Sequence, residues 1–192
     1  MMNPFHLSQS VEHGTPPEYI ELARAVLGAI DLDPASSSYW NEHLVKAAHF
    51  YDERVNGLEL PWQGRVFLNP PGGEDAKGGL VRQFWERLIA FWREGRVHSA
   101  VWLGYSLQQL TLLQSSPMHP LQFFTCVPVN RIAFMLRPAK GGPPERSKSP
   151  MHGNYVTLLQ TRTSPAVAAQ QARRFVDQCC QLGIGGAIVR PL

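Results

Sequence analysis

The feature that most constrains this chain is the segment 97–104, VHSAVWLG. Apart from His98 and Ser99 it is apolar without alternation. A strand of that kind has no solvent side and must be covered on both faces, as in parallel sheets flanked by helices. The preceding residues 79–93 supply one cover: Leu80, Phe84, Leu88, Phe91 and Trp92 recur at helical spacing and form a wide apolar stripe. Residues 64–69, GRVFLN, predict a second apolar strand. Further alternation predicts a helix from Thr15 to about Gly28, a short strand over 29–33 stopped by Pro34, and a second helix over 40–50. It continues with a helix over 106–114, strands over 121–129, 131–137 and 155–160, and a closing helix over 165–183. Thr15-Pro16-Pro17-Glu18 reads as a capping box, with Thr15 as N-cap, Pro16 opening the helix and Glu18 reaching back. This alternation predicts an α/β domain with a mostly parallel sheet and helices on both faces.

At 192 residues and 44% hydrophobic, the chain suits one domain with a sizeable core. We expect a single domain over 1–192, with a flexible stretch over 1–13. That apolar content excludes disorder as the main state. No apolar run of ~18 residues predicts a membrane span. The opening MMNPFHLSQSVEHG does not read as a secretory signal, so a cytoplasmic location is expected. Cys126, Cys179 and Cys180 lack zinc spacing and are expected as free, buried thiols. The seven histidines show no ligand spacing, so no metal is expected. Trp85, Phe91 and Trp92 follow the helical stripe and are expected in the core. No GxSxG, Walker A or GxGxxG pattern occurs.

Two segments, 69–79 and 138–150, are rich enough in proline and glycine that neither helix nor strand is expected there. Net charge is only +3, yet the stretch 131–148 holds Arg131, Arg137, Lys140, Arg146 and Lys148 against Glu145 alone. This local +4 is expected as a mobile basic arm able to grip nucleic-acid phosphates, with affinity that falls as salt rises.

Chemistry is sought where strands end in polar residues and proline, because ligands of open α/β sheets sit beyond the strands' carboxyl ends. Asn69-Pro70-Pro71 is one such place. The prolines stiffen the backbone and remove its donors. The Asn69 side-chain oxygen and the Pro70 carbonyl are then placed to hold a planar amine by its two hydrogens. An amine so held directs its lone pair out of plane, which suits an in-line group transfer governed by orientation. Asp33-Pro34-Ala35-Ser36 is the second place. Its carboxylate can pair with an ammonium or with ligand hydroxyls, and the small residues let a ligand approach the backbone. Read locally, the first motif is also a strand-ending turn and the second an Asx turn.

Taken in order, Thr15-Pro16-Pro17, IDLDPAS (30–36), Asn41, Asn56-Gly57-Leu58, Pro61-Trp62 and VFLNPP (66–71) resemble the phage-type DNA N-6-adenine methyltransferases. The resemblance is strongest over 14–71 and continues weakly through WLGYS, NRIAF and the strand at Tyr155. It implies a Rossmann-like class I methyltransferase fold and S-adenosylmethionine as methyl donor. It implies that Thr15, Pro16, Asp33, Pro34, Ala35 and Asn56 border the donor. It also implies that Asn69, Pro70 and Pro71 orient the exocyclic amine of an adenine flipped from double-stranded DNA.

Two positions depart from the family pattern. Gly72 stands where the family has an aromatic that stacks on the flipped base, an interaction worth about 1–3 kcal/mol per base. Phe5, Tyr105 and His152 are candidate replacements. Asn56 stands where the family has an acid. Two alternatives therefore accompany the leading expectation: a weak or inactive DNA-binding relative, and a methyltransferase for another planar amine or amide, such as an RNA base or a glutamine side chain.

Overall fold

The structure is a computed structural model that describes residues 13–139, 141–148, 150–181 and 185–190. Its strands are β1 (His13–Gly14), β2 (Leu32–Asp33), β3 (His49–Phe50), β4 (Gly64–Leu68), β5 (Glu74–Asp75), β6 (Gly78–Gly79), β7 (Val97–Gly104), β8 (Phe124–Pro128), β9 (Met135–Leu136), β10 (Glu145–Arg146), β11 (Tyr155–Leu159) and β12 (Gly185–Val189). The helices are α1 (Pro17–Leu27), α2 (Ser38–Trp40), α3 (Leu80–Arg93), α4 (Leu107–Leu113) and α5 (Pro165–Gln181).

Seven strands form the main sheet in the order β12-β8-β11-β7-β4-β2-β3. The β3-β2-β4-β7 half is parallel. The expectation of a mostly parallel sheet fails in the other half, where β11 runs antiparallel to both β7 and β8, and β12 antiparallel to β8. The connection from β8 to β11 carries no crossover helix, and a strand that returns without one pairs antiparallel. The finding is an α/β fold with a mixed sheet.

Alternation along the central strands sorts the core into two layers. Phe67, Val101 and Leu103 face α1 and α5, beside Ile20, Val26 and Phe175. Val66, Leu68, Ala100 and Trp102 face α3 and α4, beside Phe84, Trp85, Leu88 and Leu113. Helices therefore cover both faces, as the unbroken apolar strand requires. Trp85 is fully buried, while Phe91 and Trp92 pack at the core's edge. Cys126 and Cys179 are buried and free, but Cys180 is exposed, against expectation. No described helix is long and apolar enough to cross a membrane.

Three local expectations are corrected. The Thr15 capping box does not form: α1 begins at Pro17 with Pro16 as its cap, no side-chain cap bond is made, and Glu18 pairs elsewhere. The predicted helix over 40–50 stops early. One turn at Ser38–Trp40 passes into a π-helical turn, Asn41–Val45, and the Asn41 side chain then accepts from the Ala47 amide at 2.8 Å and donates to its carbonyl at 3.3 Å. That capture frees His49–Phe50 to pair as the sheet's edge strand. The two proline- and glycine-rich segments are also not featureless. β5 and β6 form a tight hairpin after Pro71, and β9 and β10 form another in the basic arm.

Candidate functional site

Chain order reverses at β2. From β2 the chain passes to β3 on one side, then returns to β4 on the other. The crevice beyond the carboxyl ends of β2 and β4 is thus a topological switch point, the place where open α/β sheets hold ligands. Asp33 ends β2, and Asn69 follows β4 directly.

Asp33 is 3% exposed. Its Oδ1 accepts the Ala35 amide at 3.1 Å, closing an Asx turn. Burial pushes its carboxyl up to about 7, and the Ala35 amide and nearby Ser36 hydroxyl only partly oppose that push. Ser36 Oγ itself makes no well-formed hydrogen bond although it is buried, and neither does Trp40 Nε1 on the same loop. Such orphaned buried groups cost stability unless a partner arrives. Asp31, two residues earlier, serves a different purpose. Its carboxylate holds Arg65 through both oxygens at 2.6 and 2.8 Å, at the amino edge of the sheet.

The turn is backed from behind. Gly57 lies so close to Pro34 that a Cβ there would overlap the Pro34 carbonyl oxygen. Fully buried Trp62 donates its Nε1 to the Gly57 carbonyl at 2.7 Å. Asn56 occupies the left-handed region at φ 48°, which asparagine tolerates, and its Oδ1 accepts the Leu58 amide at 3.2 Å. The Asn56 oxygen is therefore spent on its own turn. Thr15 and Pro16 are buried at the head of α1, and Gly14 presses against the Trp40 indole. Asp33, Pro34 and Ala35 thus form one turn braced by the 56–58 turn, while Thr15 and Pro16 are buried at the head of α1, next to the Gly14–Trp40 contact.

Asn69 is half-buried, and its amide makes no hydrogen bond among the described residues. No backbone donor reaches the buried Pro70 carbonyl. Pro71 leads into the β5–β6 hairpin, which Gln83 secures by donating to Asp75 at 2.7 Å and to the Gly78 carbonyl at 3.0 Å. A Cβ at Gly72 would meet nothing within 4 Å.

The basic arm is folded rather than free. β9 pairs with both β1 and β10. Arg146 grips the Glu18 carboxylate with two bonds at 2.7 and 2.8 Å, which holds the Glu18 carboxyl below the usual range. The Arg137 guanidinium lies 4.5 Å over the Tyr39 ring, and Tyr39 Oη donates to the Gly142 carbonyl at 2.8 Å. Arg131 and Lys148 are exposed. Lys140 and Phe5 lie outside the described residues.

Two cavities among the described residues include neither Asp33 nor Asn69. One is a niche with room for about one water, lined by rings of His13, Tyr105, Phe134 and His152 beside Asn154. The other opens near the amino ends of β2, β4 and β7, beside His49, Arg96 and His98. Among the described residues, no group of three or more His, Cys, Asp or Glu could hold a metal ion. Sequence reasoning missed Ser36 and Trp40 as orphaned groups, and their only signal was adjacency to the Asp33 turn. No protein-family model matches the chain, and no curated protein shows significant similarity to it.

Proposed function

We propose that this protein is an S-adenosylmethionine-dependent methyltransferase of Rossmann-like type, acting on the exocyclic amine of an adenine turned out of double-stranded DNA. One observation carries the reading: incompletely partnered polar groups flank the switch point. Asp33, Ser36 Oγ and Trp40 Nε1 stand on one side of it, and the Asn69 amide and Pro70 carbonyl on the other. These residues fit the donor. Asp33 can accept from its ammonium or ribose hydroxyls, Ser36 Oγ can donate or accept, and Trp40 Nε1 can donate.

Bound there, S-adenosylmethionine supplies an activated methyl group. The chain's part is orientation. The Asn69 oxygen and the Pro70 carbonyl each accept one N–H of the amine, which turns the nitrogen lone pair toward the methyl carbon. Held by Asp33, Ser36 and Trp40, the donor would supply an electrophilic methyl carbon with a thioether leaving group, and the amine held by Asn69 and Pro70 would pass one proton to solvent. Neutral acceptors suffice, because the proton leaves from a nitrogen that has already become cationic. Asp33 is closed over in this conformation, so donor binding requires the 33–40 loop to move outward.

The test is calorimetric titration with S-adenosylmethionine, together with methyl incorporation into adenine-unmethylated duplex DNA. Asn69→Ala is expected to keep donor affinity and lower kcat by about 100-fold, the scale of a lost orienting contact. A wild-type protein that neither binds the donor nor transfers methyl overturns the proposal. The closure of Asp33 and the open position at Gly72 favour a second reading, a DNA-binding relative without transfer. It predicts salt-sensitive DNA binding with no methylation.

A further inference from the structure

The rings nearest the crevice belong to neither motif. Leu68 of β4 is level with Trp102 of β7. Continued past its last pair, that register sets Tyr105, the residue after β7, level with Pro71, one residue before the open position at Gly72. Neighbouring strands lie about 4.8 Å apart. Alternation also sets its side. Val101 and Leu103 face the α1 layer, and Tyr105, two residues on, packs against that same layer. Phe67 faces that layer too, and alternation sends Asn69 after it. Leu32 faces the opposite layer, which leaves Asp33 on the α1 side. Asp33, Asn69 and Tyr105 thus end three adjacent parallel strands on one face of the sheet.

The Tyr105 ring is held in a fixed frame. The Asn154 amide nitrogen donates to the Tyr105 carbonyl, and Asn154 Oδ1 accepts the Ile132 amide at 2.9 Å. Gly104 must be glycine because the Tyr155 ring occupies the space of its Cβ. Three rings brace Tyr105: His152 with centroids 4.9 Å apart, Phe134 at 5.5 Å and His13 at 6.3 Å. Yet Tyr105 remains half-buried, and its hydroxyl makes no hydrogen bond among the described residues. A braced, half-buried aromatic that the continued register sets level with Pro71, just past the Asn69 and Pro70 acceptors, suits recognition of a planar nucleobase.

We propose that Tyr105 is the stacking residue of this site, seating the target base so that its amine reaches Asn69 and Pro70. From just beyond β7 it does what no side chain at position 72 can do. The niche behind the ring is too small for a base, so the base lies against the ring's outer surface. This rests on the methyltransferase reading for its kinetic consequence, but the stack itself is measurable without transfer.

The experiment compares wild type, Tyr105→Ala, Tyr105→Phe and the double variant Tyr105→Ala with Gly72→Tyr. Tyr105→Ala is expected to raise KM for duplex DNA by roughly 10- to 100-fold. Donor affinity by calorimetry should stay within about twofold, because Tyr105 is not placed to touch the donor. Tyr105→Phe should rescue most of the loss. Gly72→Tyr should recover part of it in the Tyr105→Ala background, since nothing lies within 4 Å of a Cβ there. In parallel, fluorescence quenching of 2-aminopurine deoxyriboside, titrated to millimolar concentration, reads stacking directly. It should fall in Tyr105→Ala. Quenching that depends on Tyr105 in a protein that transfers no methyl upholds the stack while overturning the enzymatic reading. A protein that methylates DNA with the same KM in Tyr105→Ala overturns the stack alone. Equal loss of donor and DNA affinity also overturns it, by marking Tyr105 as merely structural.

Discussion

Asp33→Asn offers the sharpest physical test of the crevice. Burial pushes the Asp33 carboxyl from an ordinary 3.8 up to about 7. Below about pH 4 the proton is bound in both folded and unfolded chains, so the shift costs nothing. Between about pH 4 and 7 the unfolded chain releases it and the folded chain retains it. Stability then falls with rising pH, by about 1.4 kcal/mol per pH unit for this one group. Above pH 7 the cost is constant. The gap between 3.8 and about 7 sets the full effect at roughly 4 kcal/mol. Asparagine can still accept the Ala35 amide bond, carries no charge and does not titrate. Asp33→Asn should therefore be more stable than wild type by about 1 kcal/mol near pH 4.5 and by about 4 kcal/mol at pH 8, a change of about 3 kcal/mol. In urea titrations at those two values, with a slope near 2 kcal/mol/M, the midpoint difference between the two proteins should grow by about 1.5 M from the lower pH to the higher. Every other titrating group contributes equally to both proteins and cancels. A difference between the two proteins that does not change with pH would refute the burial account of Asp33. Asp33→Asn should also lose donor affinity, since the ionised carboxylate is the form that pairs with an ammonium. For wild type, donor affinity should therefore rise with pH until about 7 and level off.

Glu18→Gln should tighten DNA binding rather than weaken it. Arg146 is freed from its two-bonded partner, so the salt dependence of binding should steepen by about one phosphate contact, measured by fluorescence anisotropy across a salt series. The stability cost of the lost pair should be under about 1 kcal/mol, because both groups are substantially exposed. Gly57→Ala should destabilise the protein by about 2 kcal/mol or more and lower donor affinity with it, because its Cβ would force the Pro34 carbonyl out of place. Urea unfolding and donor calorimetry check both effects, and a variant as stable as wild type would show that the 56–58 turn does not brace the Asp33 turn.

Sequence patterns were most informative where one strong local signal governs. The segment 97–104 forms a strand over its whole predicted length, and α3 starts within one residue of its expected position and ends where expected. The expectations that failed depend on partners far along the chain. Glu18 is a proper third member of a capping box, but it finds Arg146, 128 residues away, and no local rule weighs that competitor. The basic arm looks structureless by composition, yet it is tied by Glu18, by Tyr39 and by pairing of β9 with β1. The stop at residue 45 is local in origin, but the Asn41 side chain makes it by taking both polar groups of Ala47. Periodicity does not register that event. The strand ends carrying Asp33 and Asn69 were legible from proline punctuation. The face on which they meet Tyr105 required the register.

Accounting for polar atoms divides the motif residues in a way their order along the chain does not. Asn56 has its oxygen engaged by Leu58, and Trp62 has its only donor engaged by Gly57. Trp62 has no donor left for a ligand and Asn56 keeps only its amide nitrogen and a second lone pair, so both act chiefly by bracing the Asp33 turn. Asn69 has its whole amide free, the Pro70 carbonyl has no donor, and Ser36 and Trp40 are buried with unmet capacity. Each buried unpartnered atom costs about 1–3 kcal/mol, a cost carried here by Ser36 Oγ and Trp40 Nε1 and, away from the switch point, by atoms such as Gln109 Oε1 and Ser116 Oγ. An asparagine at position 56 suits that bracing work. A residue whose work is to hold a left-handed turn at φ 48° needs a short side chain with an oxygen, not a charge. Gly72 differs in kind, because no neighbour demands glycine there and none fills the space. If the site seats a base, the ring must come from another residue than Gly72, and Tyr105 directly follows the neighbouring strand β7.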